Sequence, residues 1–261
     1  MMKRRSFLNC VSALSILFFA TGHGHGYGDT TTRTYMVGVE DTKYLPHFTT
    51  ENSLYRGFAR ELLDLFAAHA GVQFDYCPLP VKRLFTDFIG ENVDFKYPDN
   101  PRWQVAMKYG KKIYYSDVVV HYISGAVVTP QRKGKGIGKL KILGVVRGFT
   151  PLPFMDYIKA GKITVYENRN FPELLRQTIN GRVDAAYVNL SVARYHLRED
   201  LNQPDALVFD RDLPNFESSF FLSTIKHPQL IDQFNAFMKD KAILLKTLKK
   251  KHGVGIESET R

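Results

Sequence analysis

Cysteine is scarce: the 261 residues hold only Cys10 and Cys77. A pair with one member in an N-terminal leader can build neither a disulfide framework nor a cysteine-rich zinc site, so the exported chain must rest on its apolar core. Long apolar runs are also missing. The longest, Val11 to Ala20, falls well short of the roughly 20 residues that span a bilayer. Acidic residues are outnumbered, 26 Asp and Glu against 36 Lys and Arg, for a net charge of +10, or +7 without Lys3, Arg4 and Arg5. That balance favours anionic partners. It does not make a nucleic-acid binder, because Arg132-Lys133-Gly134-Lys135 and Lys249 to Lys251 lie far apart and carry no interleaved aromatics. No phosphate-binding loop is present either, since Lys139, which closes the glycine-rich stretch 131–139, is not followed by Ser or Thr.

The N-terminus is a leader: three basic residues, the apolar run, and a small-x-small site at Ala20-Thr21-Gly22. It predicts a signal peptide over 1–22 and a linker over 23–33. Lys3-Arg4-Arg5-Ser6-Phe7-Leu8 fits a twin-arginine export signal and a general secretory signal alike. Cys10 precedes the apolar core of the leader and follows Asn9, which argues against a lipid anchor. His23-Gly24-His25-Gly26 reads as flexible linker.

Beyond the linker, strands and helices alternate. Thr34 to Val39 reads as a strand. Gly57 to Gly71 reads as a helix with Phe58, Leu62, Leu65 and Phe66 on one face. Val72 to Tyr76 is a second strand, Val81 to Ile89 a helix, and Val93 to Phe95 opens a third strand. A second series follows: a strand over 118–128, another at Ile142 to Val146, a helix capped by Asn170, a buried strand at Val183 to Val188 and a helix from Ser191. Two strands between 205 and 224 precede one long helix from Pro228 to His252. Such alternation predicts an α/β protein with mostly parallel sheets of βαβ units.

The stretch 94–117 breaks at Pro98 and Pro101 and sets Arg102 and Trp103 at an expected helix start. An arginine behind a proline turn offers a guanidinium fork for a carboxylate, with Tyr97 and Trp103 as walls.

Five pieces carry a resemblance in order: V-G-V-E-D-T-K-Y-L-P-H-F, G-F-A-R-E-L-L-D-L-F, I-L-G-V-V-R-G-F-T, N-G-R-V-D-A-A-Y-V-N and H-P-Q-L-I-D-Q-F-N-A-F-M-K-D. From Tyr35 to Val254 the chain resembles the extracellular solute-binding proteins of the polar amino acid uptake family, family 3, with the type II periplasmic-binding fold. That resemblance implies two lobes joined by two hinge crossings: lobe 1 over 34–116, lobe 2 over 117–213, and a hinge return with the C-terminal part of lobe 1 over 214–261. It also implies residue roles. Tyr44 matches the aromatic that covers the ligand, Arg102 the clamp on its carboxylate, and Thr150 a hydroxyl at a helix start. Asn189 stands where the family has an aspartate for the ligand's ammonium. An amide supplies only a dipole there, so a ligand without an α-amine is expected. The loop ahead of Arg102 also departs from the family pattern, and its Lys96, together with Arg147, would add positive charge near the cleft.

The function implied is capture of a small polar, carboxylate-bearing solute for delivery to an ABC-type permease, by a monomeric periplasmic chain without cofactor or metal. Two alternatives stand beside it: a ligand-sensing module that docks on a membrane receptor, and an enzyme resembling cyclohexadienyl dehydratase. For acid–base chemistry only His47, His121 and Glu217 fall near the facing edges of the lobes, and none forms a catalytic pattern. His47, behind Pro46 in a loop, reads as exposed.

Overall fold

The computed structural model describes residues 32–51 and 54–255. The expected signal peptide and most of the linker lie outside them. In chain order the elements are Thr34–Glu40 (β1), Phe58–Ala70 (α1), Gln73–Leu79 (β2), Val81–Ile89 (α2), Phe95–Asp99 (β3), Val105–Lys108 (α3) and Tyr114–Tyr115 (β4). Val120–Val128 (β5), Ile142–Val146 (β6), Met155–Lys159 (α4), Thr164–Asn168 (β7), Phe171–Ile179 (α5), Ala185–Asn189 (β8), Leu190–Glu199 (α6) and Val208–Phe209 (β9) follow. Phe216–Thr224 (β10), Pro228–Asp240 (α7) and Ala242–His252 (α8) complete the described chain.

Local chemistry explains the boundaries. The α1 helix buries Phe58, Leu62, Leu63 and Phe66, and stops where Gly71 turns left-handed at φ 67° and donates to the Ala67 carbonyl. Asn170 caps α5 through Oδ1, which accepts the Glu173 N–H at 2.9 Å.

The sheet runs β2-β1-β3-β10-β5-β8-β6-β7. Each end is a parallel triple centred on one strand, β1 between β2 and β3, and β6 between β7 and β8. The two halves are joined by antiparallel strands. The first part of β10, Phe216 to Phe220, pairs with β5, and its remainder pairs with β3 and β4 past an irregularity between Phe221 and Ser223. The chain therefore crosses between the halves twice, into β5 and back along β10.

Both central strands carry a glycine under a helix. A Cβ on Gly38 would stand 2.5 Å from Leu84 Cδ1 of α2, and one on Gly144 would stand 2.5 Å from Leu174 Cδ1 of α5. At both positions an alanine would force the leucine's terminal methyl to move aside.

Two expectations differ from what is observed, and one strand was not expected. The helix predicted over 228–252 is two helices, α7 and α8, which both pack on α1. Lys241 falls on the line of the buried Phe234, Phe237, Leu245 and Leu248, and the break there keeps its ammonium on the Asp240 carboxylate at 2.6 Å instead of in the core. The helix start expected at Arg102 is a turn that leads, past left-handed Gln104, to the four residues of α3. The polar, largely exposed edge strand β7 carries too few buried residues to announce itself.

Candidate functional site

The carboxyl ends of β1, β6 and β8 converge, which is where α/β sheets bind ligands. After β1 the chain forms a tight turn, with the Tyr44 N–H on the Phe48 carbonyl at 2.9 Å and the His47 N–H on the Tyr44 carbonyl at 3.0 Å. The turn is fixed to the start of α1. There the N–H groups of Phe58 and Ala59, which have no partner within their own helix, donate to the carbonyls of Pro46 (3.1 Å) and His47 (3.0 Å). Gly57, at φ 100°, permits this approach, since a Cβ would meet His47 O and Phe48 Cα at 3.0 Å. His47 is consequently 1% exposed and not the surface residue expected of a loop.

From the other half come Phe149 after β6, Phe171 at the start of α5, and Asn189 at the end of β8. Asn189 Oδ1 accepts the N–H groups of Ser191 at 2.9 Å and Val192 at 3.4 Å, capping α6. The two sides meet ring on ring. Tyr44 stacks on Phe149 at 5.7 Å and 8°, meets Phe171 edge-on at 5.7 Å and stacks on His47 at 5.6 Å. His47 meets Phe220 of β10 edge-on at 5.3 Å, and Phe220 lies 4.4 Å from Tyr122 of β5.

Burial dominates the electrostatics. It lowers the His47 imidazole from 6.5 to about 3, so the ring is neutral at physiological pH. Burial also raises the Tyr44 phenol well above its ordinary value, with Tyr122 and the Glu40 carboxylate adding to the effect. The Asn189 amide lies beside both rings and opposes both shifts. Even so, Asn189 Nδ2 and both ring nitrogens of His47 reach no described residue at full hydrogen-bond geometry. At the end of β1, burial raises Glu40, with Lys96 opposing. No cation among the described residues stands within ion-pair distance of it. This junction thus brings together, in packed contact, an amide, a neutral imidazole able to donate and accept, and a phenol between aromatic rings, with the Glu40 carboxylate acting on the phenol.

No protein-family model and no curated protein sequence matches this chain. Solved structures do. An ancestral amino acid-binding protein described as a precursor of cyclohexadienyl dehydratase superposes with a TM-score of 0.62 at 19% identity, over 84% of this chain and 94% of its own. An ancestral arginine-binding protein bound to arginine gives 0.62 at 20% identity, over 84% and 97%. The chain has the two-lobed type II periplasmic-binding fold. The arginine-, lysine-, histidine-binding protein ArtJ of Geobacillus stearothermophilus is a further neighbour, with a TM-score of 0.61 at 16% identity over 84% of this chain and 95% of that one.

Within the periplasmic-binding fold the residues singled out from the sequence part company. Tyr44 and Asn189 meet at the junction of the lobes, with Thr150 exposed beside Phe149. Arg147 is exposed at the rim, 3.4 Å from Glu167 Oε2, with its side chain 75% exposed. Tyr97 is buried in the first lobe, its phenol raised by desolvation.

Lys96 is a correction. It is 0% exposed and does not contact a cleft: its Nζ donates to the Pro98 carbonyl at 2.6 Å and to Asp99 Oδ1 at 3.2 Å, and lies 4.2 Å over the Phe85 ring. Lys108 Nζ shares the same Asp99 oxygen at 2.9 Å, while Ser223 donates to the other at 2.7 Å. This is an internal ion cluster that ties the turn after β3 to β10.

Arg102 is the second correction. The Asn100 side chain accepts the Arg102 N–H at 2.8 Å and donates to the Ser219 carbonyl at 2.8 Å, docking the turn on β10. Trp103 then packs on Phe220 at 5.9 Å. Arg102 instead lines a separate cavity of about 390 Å³ with His121, Glu217, Ser218, Ser219 and Phe221. Neither Tyr44 nor Asn189 lines it.

Sequence reading missed Glu40, Phe149 and Phe171 as site residues. The signal for Glu40 was available: a carboxylate closing the apolar strand V-G-V at its carboxyl end.

Proposed function

We propose that this chain is an exported solute-binding protein of the family 3 type, which captures a small polar solute between its lobes and carries out no chemistry of its own. One observation carries the proposal. Asn189 from one lobe and His47 from the other lie beside each other and beside the same Tyr44 ring, with buried nitrogens that close no well-formed hydrogen bond. Leaving such groups unpaired is costly, and a ligand's polar atoms entering as the lobes separate and close again would satisfy them. The aromatic rings supply apolar walls, and Glu40 supplies a site for an amine or another strong donor. A ligand carboxylate would face outward, toward Arg147 and Thr150 at the rim. The lining suits an amine-bearing solute better than Asn189 alone suggested.

An enzymatic role is disfavoured by the chemistry of His47, since an imidazole held near 3 is a weak general base at neutral pH. Delivery to an ABC-type permease from a periplasmic location completes the proposal, and docking on a membrane receptor would use the same closure.

The chain's single tryptophan offers the assay. Trp103 packs on Phe220, which in turn contacts His47, so lobe movement should change its emission. Titration of ligand-stripped protein with amino acids, amines and organic acids should give a saturable change with at least one class, and Tyr44→Ala should abolish it. An unaltered response in Tyr44→Ala would refute the site.

A further inference from the structure

The C-terminal helices carry a surface that the site between the lobes does not use. Residues 241–254 hold five lysines and neither Asp nor Glu. Leu245 and Leu248 seat α8 in the core that α1 shares, which turns its remaining sides outward. Ile243 is 85% exposed and Leu244 43%, with Lys246 and Lys250 exposed on the same helix. Because α7 stops before Lys241, the two aliphatic side chains stand at a corner, with Lys239 on its other arm. Lys239 lies 3.6 Å from Asp117 and Lys251 2.7 Å from Glu61, whereas Lys246 and Lys250 pair with no carboxylate among the described residues.

This corner stands at the end of the first lobe remote from the ring cluster. Lys251 reaches Glu61 in the first turn of α1, so α8 runs back along α1 and starts near its far end. There His69, in the last turn of α1, meets Phe237 of α7 at 5.2 Å. The near end of α1 is the one that holds the Tyr44 and His47 loop. The chain also enters the lobe at the far end, where the Gln73 N–H, just past α1, donates to the Arg33 carbonyl at 3.0 Å. The expected leader and linker therefore join the fold on the side where the corner stands.

We propose that the corner between α7 and α8 docks on an anionic lipid bilayer, with Ile243 and Leu244 in the boundary between headgroups and acyl chains and Lys239, Lys246 and Lys250 among the lipid phosphates. Single exposed aliphatic residues are ordinary, but here two neighbours stand among charges of one sign, the pattern of a helix that lies on a membrane surface. Lysine stems can follow the apolar side chains down while their ammonium groups stay with the headgroups. A protein partner would need a fixed, aromatic-rich surface, which this corner does not offer. Attachment by this end leaves the second lobe free to open and close.

The test is co-sedimentation with vesicles of phosphatidylcholine alone and of phosphatidylcholine with phosphatidylglycerol in equal parts. Both the full chain and the exported form from His23 onward are used, without added solute, so the result does not depend on the site between the lobes. The exported form should bind the anionic vesicles, leave the neutral ones unbound, and release as salt is raised. Lys246→Gln with Lys250→Gln should weaken binding about 25-fold, at roughly fivefold for each lysine at an anionic surface. Ile243→Ser should weaken it about fivefold or more. Lys133→Gln with Lys135→Gln, the same charge change on the second lobe, should leave it unaltered. All five side chains are exposed, so every variant should keep the wild-type melting temperature. Four results would overturn the proposal: no binding to anionic vesicles, binding lost with residues 1–22, equal loss from both lysine pairs, or self-association without vesicles that Ile243→Ser abolishes, which would assign the corner to a second copy of the chain.

Discussion

Replacing His47 with leucine should remove ligand binding without harming the fold, and the reasoning behind that expectation is quantitative. Both imidazole nitrogens are buried without a well-formed hydrogen bond. Desolvating such a group costs about 1–3 kcal/mol, and leucine avoids that cost. Against this stands loss of the ring contacts with Tyr44 and Phe220, about 0.5–1.5 kcal/mol. Near pH 7.5 the ligand-free variant should therefore match the wild type within about 1 kcal/mol or exceed it.

Acidification should widen the difference. The folded protein holds His47 near 3, whereas the unfolded chain titrates near 6.5, so below 6.5 the unfolded state binds more protons and the wild type loses stability as pH falls. Each pH unit across that window is worth about 1.4 kcal/mol, so at pH 5 the group costs the wild type about 2 kcal/mol. For a chain of this length that corresponds to roughly 4–8 °C in melting temperature, all absent from the variant. Calorimetry of both proteins at pH 7.5 and pH 5 measures it. A variant destabilised by several kcal/mol at pH 7.5, or a difference that does not grow at pH 5, would show that the His47 nitrogens are satisfied and the reasoning wrong.

The ion cluster predicts the opposite behaviour. Asp99→Asn leaves Lys96 and Lys108 buried without a counter-charge and should cost about 3–5 kcal/mol in urea unfolding. Gly38→Ala drives a methyl group into Leu84 and should cost about 1–3 kcal/mol, whereas Gly138→Ala, which meets nothing, should stay within about 0.5 kcal/mol of zero. Asn189→Ala loses the α6 cap and should cost about 1 kcal/mol. Asn189→Asp keeps the cap, and calorimetric titration should show a shifted preference toward amines, because a full negative charge replaces a dipole.

How far the sequence was legible depended on how local each determinant is. The βαβ order could be read because its signals sit inside the elements: the apolar stripe of α1, the left-handed Gly71 and the Asn170 cap. The break at Lys241 depends on how two helices share the surface of α1, which no window of α7 contains. Tyr44 and Asn189 could be brought together only through the family resemblance, which set both on one ligand. Arg102 and Lys96 could not be placed. Which way they point is decided by Asn100 bonding to Ser219 and by Ser223 bonding to Asp99, partners more than a hundred residues away. The burial of His47 likewise rests on the start of α1 accepting the loop through Gly57.

The most direct test of the central claim is a thermal-shift screen of ligand-stripped protein against amino acids, amines, dicarboxylates and other organic acids, run in parallel on the wild type and His47→Leu. A solute bound between the lobes stabilises only the folded state, so at least one compound should raise the wild-type melting temperature in a concentration-dependent way and leave the variant unmoved. Equal shifts in both proteins, or none in the wild type across all four classes, would contradict the account.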